Sequence, residues 1–148
     1  MTMTHSALFG NKITIRTIFI TPLIFLLVVI VMSSKPEWGI VDAGTKGTLP
    51  IFLGLFAVLG FAIPLSIRLF FERTLKNDKT DFGKLFTMQA VTEIPVLFGL
   101  VLTMTFKDVI YFFGFFVLTY LFMFWNFMLI KQWEKRMEEI ELRNRLNG

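Results

Sequence analysis

Long apolar stretches separated by short polar segments organise this chain. Four of them have about the length that a helix needs to cross the hydrocarbon core of a bilayer, roughly 20 residues. They cover about 13–32, 49–71, 85–106 and 109–130. The pattern predicts an all-α integral membrane protein with four transmembrane helices, and residues 1–148 are long enough for that single four-helix domain alone.

After the fourth stretch the hydropathy pattern changes. Residues 131–148, called the tail below, are rich in charges, with Trp133, Met137 and Ile140 recurring at helical spacing. This spacing predicts a helical extension of the fourth span. A solvated continuation is the favoured interpretation of the tail, and a partner helix or the membrane surface receiving the apolar stripe is the alternative.

The connections between the spans are short. A charged loop joins the second span to the third, and we interpret its acids Asp78 and Asp81 as ordinary solvated charges, with Asp81 a candidate helix cap. A tight turn around Lys107 and Asp108 joins the third span to the fourth, which predicts an antiparallel hairpin.

Composition agrees with a chain solvated by lipid. Hydrophobic residues make up 55% of it and the mean hydropathy is +0.67. The chain contains no Cys, which excludes disulfides, thiolate metal sites and cysteine nucleophiles. Its single histidine, His5, cannot build a histidine metal cage, and no phosphate-binding glycine loop is present. We therefore expect no enzyme, no catalytic residue, no metal and no cofactor.

The distribution of basic residues predicts the orientation. Four spans place both termini and the charged loop on one side, which holds twelve of the 15 Lys and Arg residues, while the other side holds only Lys35, Lys46 and Lys107. By the positive-inside rule both termini are cytoplasmic, and we expect a bacterial cytoplasmic (inner) membrane. Topology and lipid contact then account for the pI of about 9.6, so no nucleic-acid partner is needed.

Glu93 is the only carboxylate inside a predicted span, near its centre. An isolated ionised carboxylate there costs on the order of 2.5 kcal/mol or more, so it should be protonated, paired or beside a wet cavity. Gln89, one turn earlier, could hydrogen-bond the carboxyl group, and Thr92 extends the polar face. These three residues are our candidate ion-binding residues, and the structural alternative is that they hold helices together, with Glu93 neutral or paired to a base such as Arg68.

Two prolines are predicted to kink their helices. Pro64 lies deep in the second span, and Pro95 removes the amide that would meet the carbonyl of Val91, which loosens the backbone beside Glu93. The third span continues with Gly99 and Thr103, so its small and polar stripe should face protein and not lipid.

The run QAVTEIPVLFGLV, residues 89–101, resembles the second helix of the proteolipid, or c, subunit of rotary ATP synthases. In that family a carboxylate in mid-membrane is followed closely by a proline and a glycine-containing apolar run. The resemblance covers about residues 49–106 and includes a charged loop whose Arg73 precedes the acid by about twenty residues. The chain differs in lacking the dense glycine repeat of the preceding helix and in having two additional spans.

The resemblance implies that Glu93 carries a proton or Na⁺ within a ring of subunits, with Gln89 and Thr92 as supporting ligands. Two functional hypotheses follow from the sequence. The first is a small multi-pass membrane subunit of an oligomeric or multi-subunit complex that handles protons or small cations through Glu93. The second is a non-catalytic structural or scaffold subunit of a larger membrane complex, in which Glu93 only stabilises helix packing.

Overall fold

The computed structural model describes residues 14, 16–40, 43–76 and 78–147. Within these ranges the chain consists of helices and their connections, without a strand. The helices are α1 (Thr21–Ser33), α2 (Ala43–Thr74), α3 (Phe82–Val91), α4 (Ile94–Phe106) and α5 (Val109–Leu146), with short 3₁₀ turns at Ile18–Ile20 and Lys79–Asp81.

Three helical segments are long and apolar enough to cross a membrane: Ala43–Thr74, Phe82–Phe106 taken across the interruption between α3 and α4, and Val109–Leu146. Ile18–Ser33, which covers most of the first predicted span, is apolar but shorter. Apolar helices of these lengths fit a membrane protein. Of the three long segments Phe82–Phe106 is the most buried, as its small and polar stripe predicts.

The second helix is longer than its hydropathy predicts. It begins at Ala43 instead of residue 49, so Pro50 lies inside the helix and not in its first turn. The helix continues through Pro64 as well. Apolar helices tolerate proline in this way when neighbouring groups meet the backbone atoms that the ring leaves unpaired.

The predicted span 85–106 is interrupted at its centre. Thr92 and Glu93 form a turn, in which their amides donate to carbonyl oxygens three residues back, at 3.2 and 3.1 Å, instead of four. Pro95 lies in the first turn of α4 and has no N–H to donate to Val91. Both residues keep right-handed helical dihedral angles, and Phe82–Phe106 remains one membrane-length segment. The predicted loosening of the backbone beside Glu93 is therefore a short interruption of the helix.

Helices α4 and α5 form the tightest pair. Lys107 ends α4 in the left-handed region at φ 51°, and the side chain of Asp108 accepts a hydrogen bond of 3.0 Å from the amide of Ile110 at the start of α5. The two helices approach closely at Gly99, since a Cβ atom there would be 2.7 Å from the Cβ of Phe115. The predicted antiparallel hairpin is confirmed, and it also packs against α1 and α2.

The first part of the tail has one buried face, while Lys131, Gln132, Lys135 and Arg136 are exposed. Trp133 and Met137 are 3% and 2% exposed and form a core cluster with Leu85, Met88 and Ile130. The favoured interpretation of a solvated tail is therefore wrong for the face that carries Trp133 and Met137. Residues of α2 and α3 cover Trp133 and Met137 of the apolar stripe, whereas Ile140 is 38% exposed.

Candidate functional site

Glu93 occupies the break between α3 and α4, at the middle of the segment Phe82–Phe106. Its side chain is half-buried, and the side chain of Thr21, the first residue of α1, lies beside its carboxyl group. The break and α1 together therefore position a carboxyl group beside a hydroxyl group at the centre of an apolar bundle.

The other two candidate ligands do not turn toward this carboxyl group. Gln89 and Thr92 are both buried, at 0% and 1% exposure. The hydroxyl of Thr92 donates to the backbone oxygen of Gln89. The side-chain amide of Gln89 has no hydrogen-bond partner in the described part of the chain, so the hydrogen bond to Glu93 that the spacing allows is not formed.

Arg68 does not pair with Glu93. Its guanidinium group is 4% exposed, donates to the side-chain oxygen of Asn126 and lies 4.0 Å from the ring centroid of Trp125. Its Nε atom lies 3.6 Å from a carboxylate oxygen of Glu72, one turn along α2. The sequence-based alternative in which Arg68 neutralises Glu93 is therefore corrected, because Arg68 already has an amide, a ring face and another acid as neighbours.

Asn126 is the polar residue that the sequence reasoning missed. It is 2% exposed, it accepts from Arg68, and its amide nitrogen donates to the backbone oxygen of Met88 at 3.2 Å. The three residues join α2, α5 and α3. The sequence feature that could have indicated this contact is a lone Asn in the aromatic run of the fourth predicted span, together with an Arg inside the second.

A second carboxylate, Glu134, lies at the start of the tail with 6% exposure. Arg16 donates to it at 3.0 Å, and further along α5 the hydroxyl of Tyr120 donates to the backbone oxygen of Phe19 at 2.9 Å. These contacts hold the segment before α1 against α5, and the same segment leads into Thr21 beside Glu93.

The two acids of the charged loop differ from each other. Asp81 is fully buried and lies 3.3 Å from Lys84, so its interpretation as a solvated charge is wrong. It holds the N-cap position of α3, but its side chain makes no capping hydrogen bond there. Asp78 accepts hydrogen bonds from the hydroxyl and the amide of Thr80, and these hold the pKa of the Asp78 carboxyl below its ordinary value. The loop is further tied to the tail, where the indole of Trp133 donates to the backbone oxygen of Asp78 at 2.9 Å.

The donor set around Glu93 limits the chemistry. Within residues 14, 16–40, 43–76 and 78–147, no three His, Asp or Glu side chains come together as metal ligands would. A hard cation such as Ca²⁺ takes six to eight oxygen ligands. A carboxyl group with one hydroxyl neighbour can instead take up and release a proton, which needs one oxygen atom.

Comparison of the chain with protein families, with curated proteins and with solved structures finds no match to any of them.

Proposed function

We propose that this protein is a small four-span membrane subunit of an oligomeric or multi-subunit complex and that Glu93 handles protons within it. The observation that carries the proposal is the position of a half-buried carboxyl group at a helix break in the middle of a membrane-length segment. Carboxylates at such depth are costly, and in transporters interrupted helices are a recurrent setting for ion and proton sites.

A proton is favoured over Na⁺ or another small cation. Glu93 has the hydroxyl of Thr21 beside it. The side chain of Thr92 is engaged with the backbone, and that of Gln89 makes no hydrogen bond to the part of the chain that the structure describes. Among the described residues, these candidate side chains offer the carboxyl group one further oxygen atom, fewer than the shell of oxygen ligands that a hard cation takes.

The proposed topology has the ends of the chain and the charged loop in the cytoplasm of a bacterial cell. The distribution of Lys and Arg supports it. So does the packing, because the charged loop and the start of the tail are in contact through Asp78 and Trp133 and must lie on the same side. The resemblance of residues 49–106 to the proteolipid subunit of rotary ATP synthases supports the assignment of Glu93 as the proton carrier.

Proton flux in proteoliposomes tests the proposal. With a potassium diffusion potential as driving force and an internal pH-sensitive dye, the wild-type protein or its complex should acidify or alkalinise the lumen, and Glu93→Gln should abolish the signal. A carboxyl-directed hydrophobic carbodiimide should label the wild type and not Glu93→Gln.

Glu139→Gln is the matched control, because it makes the same change at an exposed tail position. It should keep full flux and full labelling. Equal flux from the wild type and Glu93→Gln, or equal labelling of the two, would show that the carboxyl group has no role in proton handling.

A structural subunit is the second candidate, and the tie among Arg68, Asn126 and Met88 favours it, since it uses intramembrane polar groups to join three helices. In that case the outer part of the tail, the residues after Met137 that do not belong to the core, binds a partner protein. Removal of residues 139–148 should then abolish co-purification with the partner while leaving the melting temperature unchanged. Retention of every partner by the shortened chain would contradict it.

A further inference from the structure

A cavity lies at the end of the bundle opposite the charged loop. It has a volume of about 320 Å³ and lies where α1 and α4 end. Its lining residues are Met32, Lys35, Glu37, Trp38, Met104 and Lys107. In a four-span arrangement this is the level of the lipid headgroups, so the cavity faces the boundary between hydrocarbon and water.

The lining divides into an apolar part and a charged part. Met32 and Met104 come from the last turns of two membrane-embedded helices, while the ammonium groups of Lys35 and Lys107 come from the connections. Two basic side chains against Glu37 give the lining a net charge of +1. Such a cavity is complementary to an amphiphile with one net negative charge.

Lys107 has a strained backbone. At φ 51° and ψ 40° it is the only non-glycine residue with positive φ in the part of the chain that the structure describes. The left-handed conformation is unfavourable for a residue with a side chain, and helices usually place Gly there. The ammonium group of Lys107 donates to the backbone oxygen of Glu37 at 3.4 Å, which uses one of its three protons.

We propose that this cavity binds the headgroup of an anionic phospholipid. The ammonium groups of Lys35 and Lys107 contact the phosphate, and Met32 and Met104 contact the glycerol and the start of the acyl chains. Trp38, half-buried at the same level, has the amphipathic ring that proteins place at membrane interfaces. The apolar half of the lining favours a lipid over a free phosphate ion.

Native mass spectrometry of the detergent-solubilised full chain, titrated with phosphatidylglycerol or phosphatidylcholine, tests the proposal. The wild type should bind phosphatidylglycerol more tightly than phosphatidylcholine. Lys107→Gly should weaken phosphatidylglycerol binding about tenfold, the size expected for loss of one charge-assisted hydrogen bond. Because Gly adopts positive φ without penalty, this variant should melt no lower than the wild type, which separates lost binding from misfolding.

Lys46→Gln is the control, since Lys46 is an exposed base on the same predicted side that does not line the cavity. It should bind phosphatidylglycerol as the wild type does, and so should Glu93→Gln, because the lipid site does not depend on the proton site. Three results would overturn the proposal: unchanged phosphatidylglycerol affinity in Lys107→Gly, equal affinity of the wild type for both lipids, or competition by millimolar inorganic phosphate that removes the bound lipid.

Discussion

Two buried polar side chains of this chain differ in whether they are hydrogen-bonded. Asn126 bonds to groups of two other helices, while the amide of Gln89 is wholly buried without a hydrogen bond in the described residues. A buried amide without a hydrogen bond lowers the stability of the fold by about 1–3 kcal/mol. Removal of a hydrogen-bonded amide has a similar cost, because the groups that were bonded to it are left without a partner. Similar substitutions at the two positions should therefore have opposite effects.

Gln89→Met, which conserves side-chain volume, should raise the melting temperature in detergent. Asn126→Leu should lower it by the equivalent of about 1–3 kcal/mol, because the guanidinium group of Arg68 then loses a hydrogen-bond partner. Differential scanning fluorimetry with a tryptophan readout measures both. A fall in melting temperature for Gln89→Met would mean that its amide has a partner outside the described chain, such as another subunit.

The close contact between α4 and α5 depends on the absence of a side chain at Gly99. A Cβ there would meet the Cβ of Phe115 at 2.7 Å, and the backbone of Phe112 and Tyr111 at 3.3 Å. Gly99→Ala should cost about 1–3 kcal/mol of unfolding free energy by overpacking. Gly114→Ala on α5 is the control, since a Cβ there has no neighbour within 4 Å, and unchanged melting of Gly99→Ala would contradict the close approach.

Asp78 predicts a pH dependence of stability. Hydrogen bonds from Thr80 lower the pKa of the folded state, so the stabilisation is present above the ordinary pKa of 3.8 and is lost as pH falls through the lower folded value. Asp78→Asn should therefore melt below the wild type at pH 6, and the difference should shrink below about pH 4. A difference that stays constant from pH 6 to pH 3 would rule out the carboxylate as its source.

At the scale of the helices, α5 combines a membrane-length part with a tail whose inner part is packed and whose outer part is exposed. Met137 is 2% exposed in the core cluster, whereas Leu142 is 60% exposed. Met137→Ala should cost about 2–5 kcal/mol, as large-to-small changes in cores do, and Leu142→Ala less than about 0.5 kcal/mol. Thermal unfolding of the two variants measures this contrast, and equal losses would mean that the inner part of the tail is not packed.

Hydropathy predicted the position of most helices, because a run of apolar residues dictates helix wherever the backbone has no water to bond. Hydropathy did not predict features that depend on contacts with other parts of the chain, such as a helix interruption or the burial of a side chain. The break at Thr92 and Glu93 was visible only as a loosening at Pro95, since α2 carries two prolines without interruption. The burial of Trp133 depends on α3 and the charged loop, which no local pattern around residues 131–148 contains.

For the whole molecule, the proposed orientation has a direct test because the chain contains no Cys. Single cysteines at the exposed positions Ser34, Lys76 and Glu138 report the two ends of the bundle. In intact cells a membrane-impermeant maleimide should label Ser34→Cys, and the other two variants only after permeabilisation. The opposite pattern would invert the orientation, and labelling of all three in intact cells would exclude the four-span arrangement.

The candidate site was predicted in part. Glu93 was found because a lone carboxylate in an apolar run is conspicuous, and the burial of Gln89 and Thr92 followed from helical spacing. Their side-chain partners could not be predicted, because rotamers depend on the facing helices. The contact of Glu93 with Thr21 links positions 72 residues apart, and no sequence periodicity reports such a pairing.

The contact between Trp133 and the start of α3 has a mechanical consequence. The indole bonds to the carbonyl of Asp78, and its ring centroid lies 6.3 Å from that of Phe82, the first residue of α3. Helix α3 is a rod of about 15 Å, given the rise of about 1.5 Å per residue, and its far end is the interruption that holds Glu93. A partner that pulls the tail therefore pulls this rod, and close-packed interiors transmit such a displacement with little compression. In the proposed four-span arrangement, a displacement of the tail outside the bilayer is therefore expected to reach the carboxyl group of Glu93.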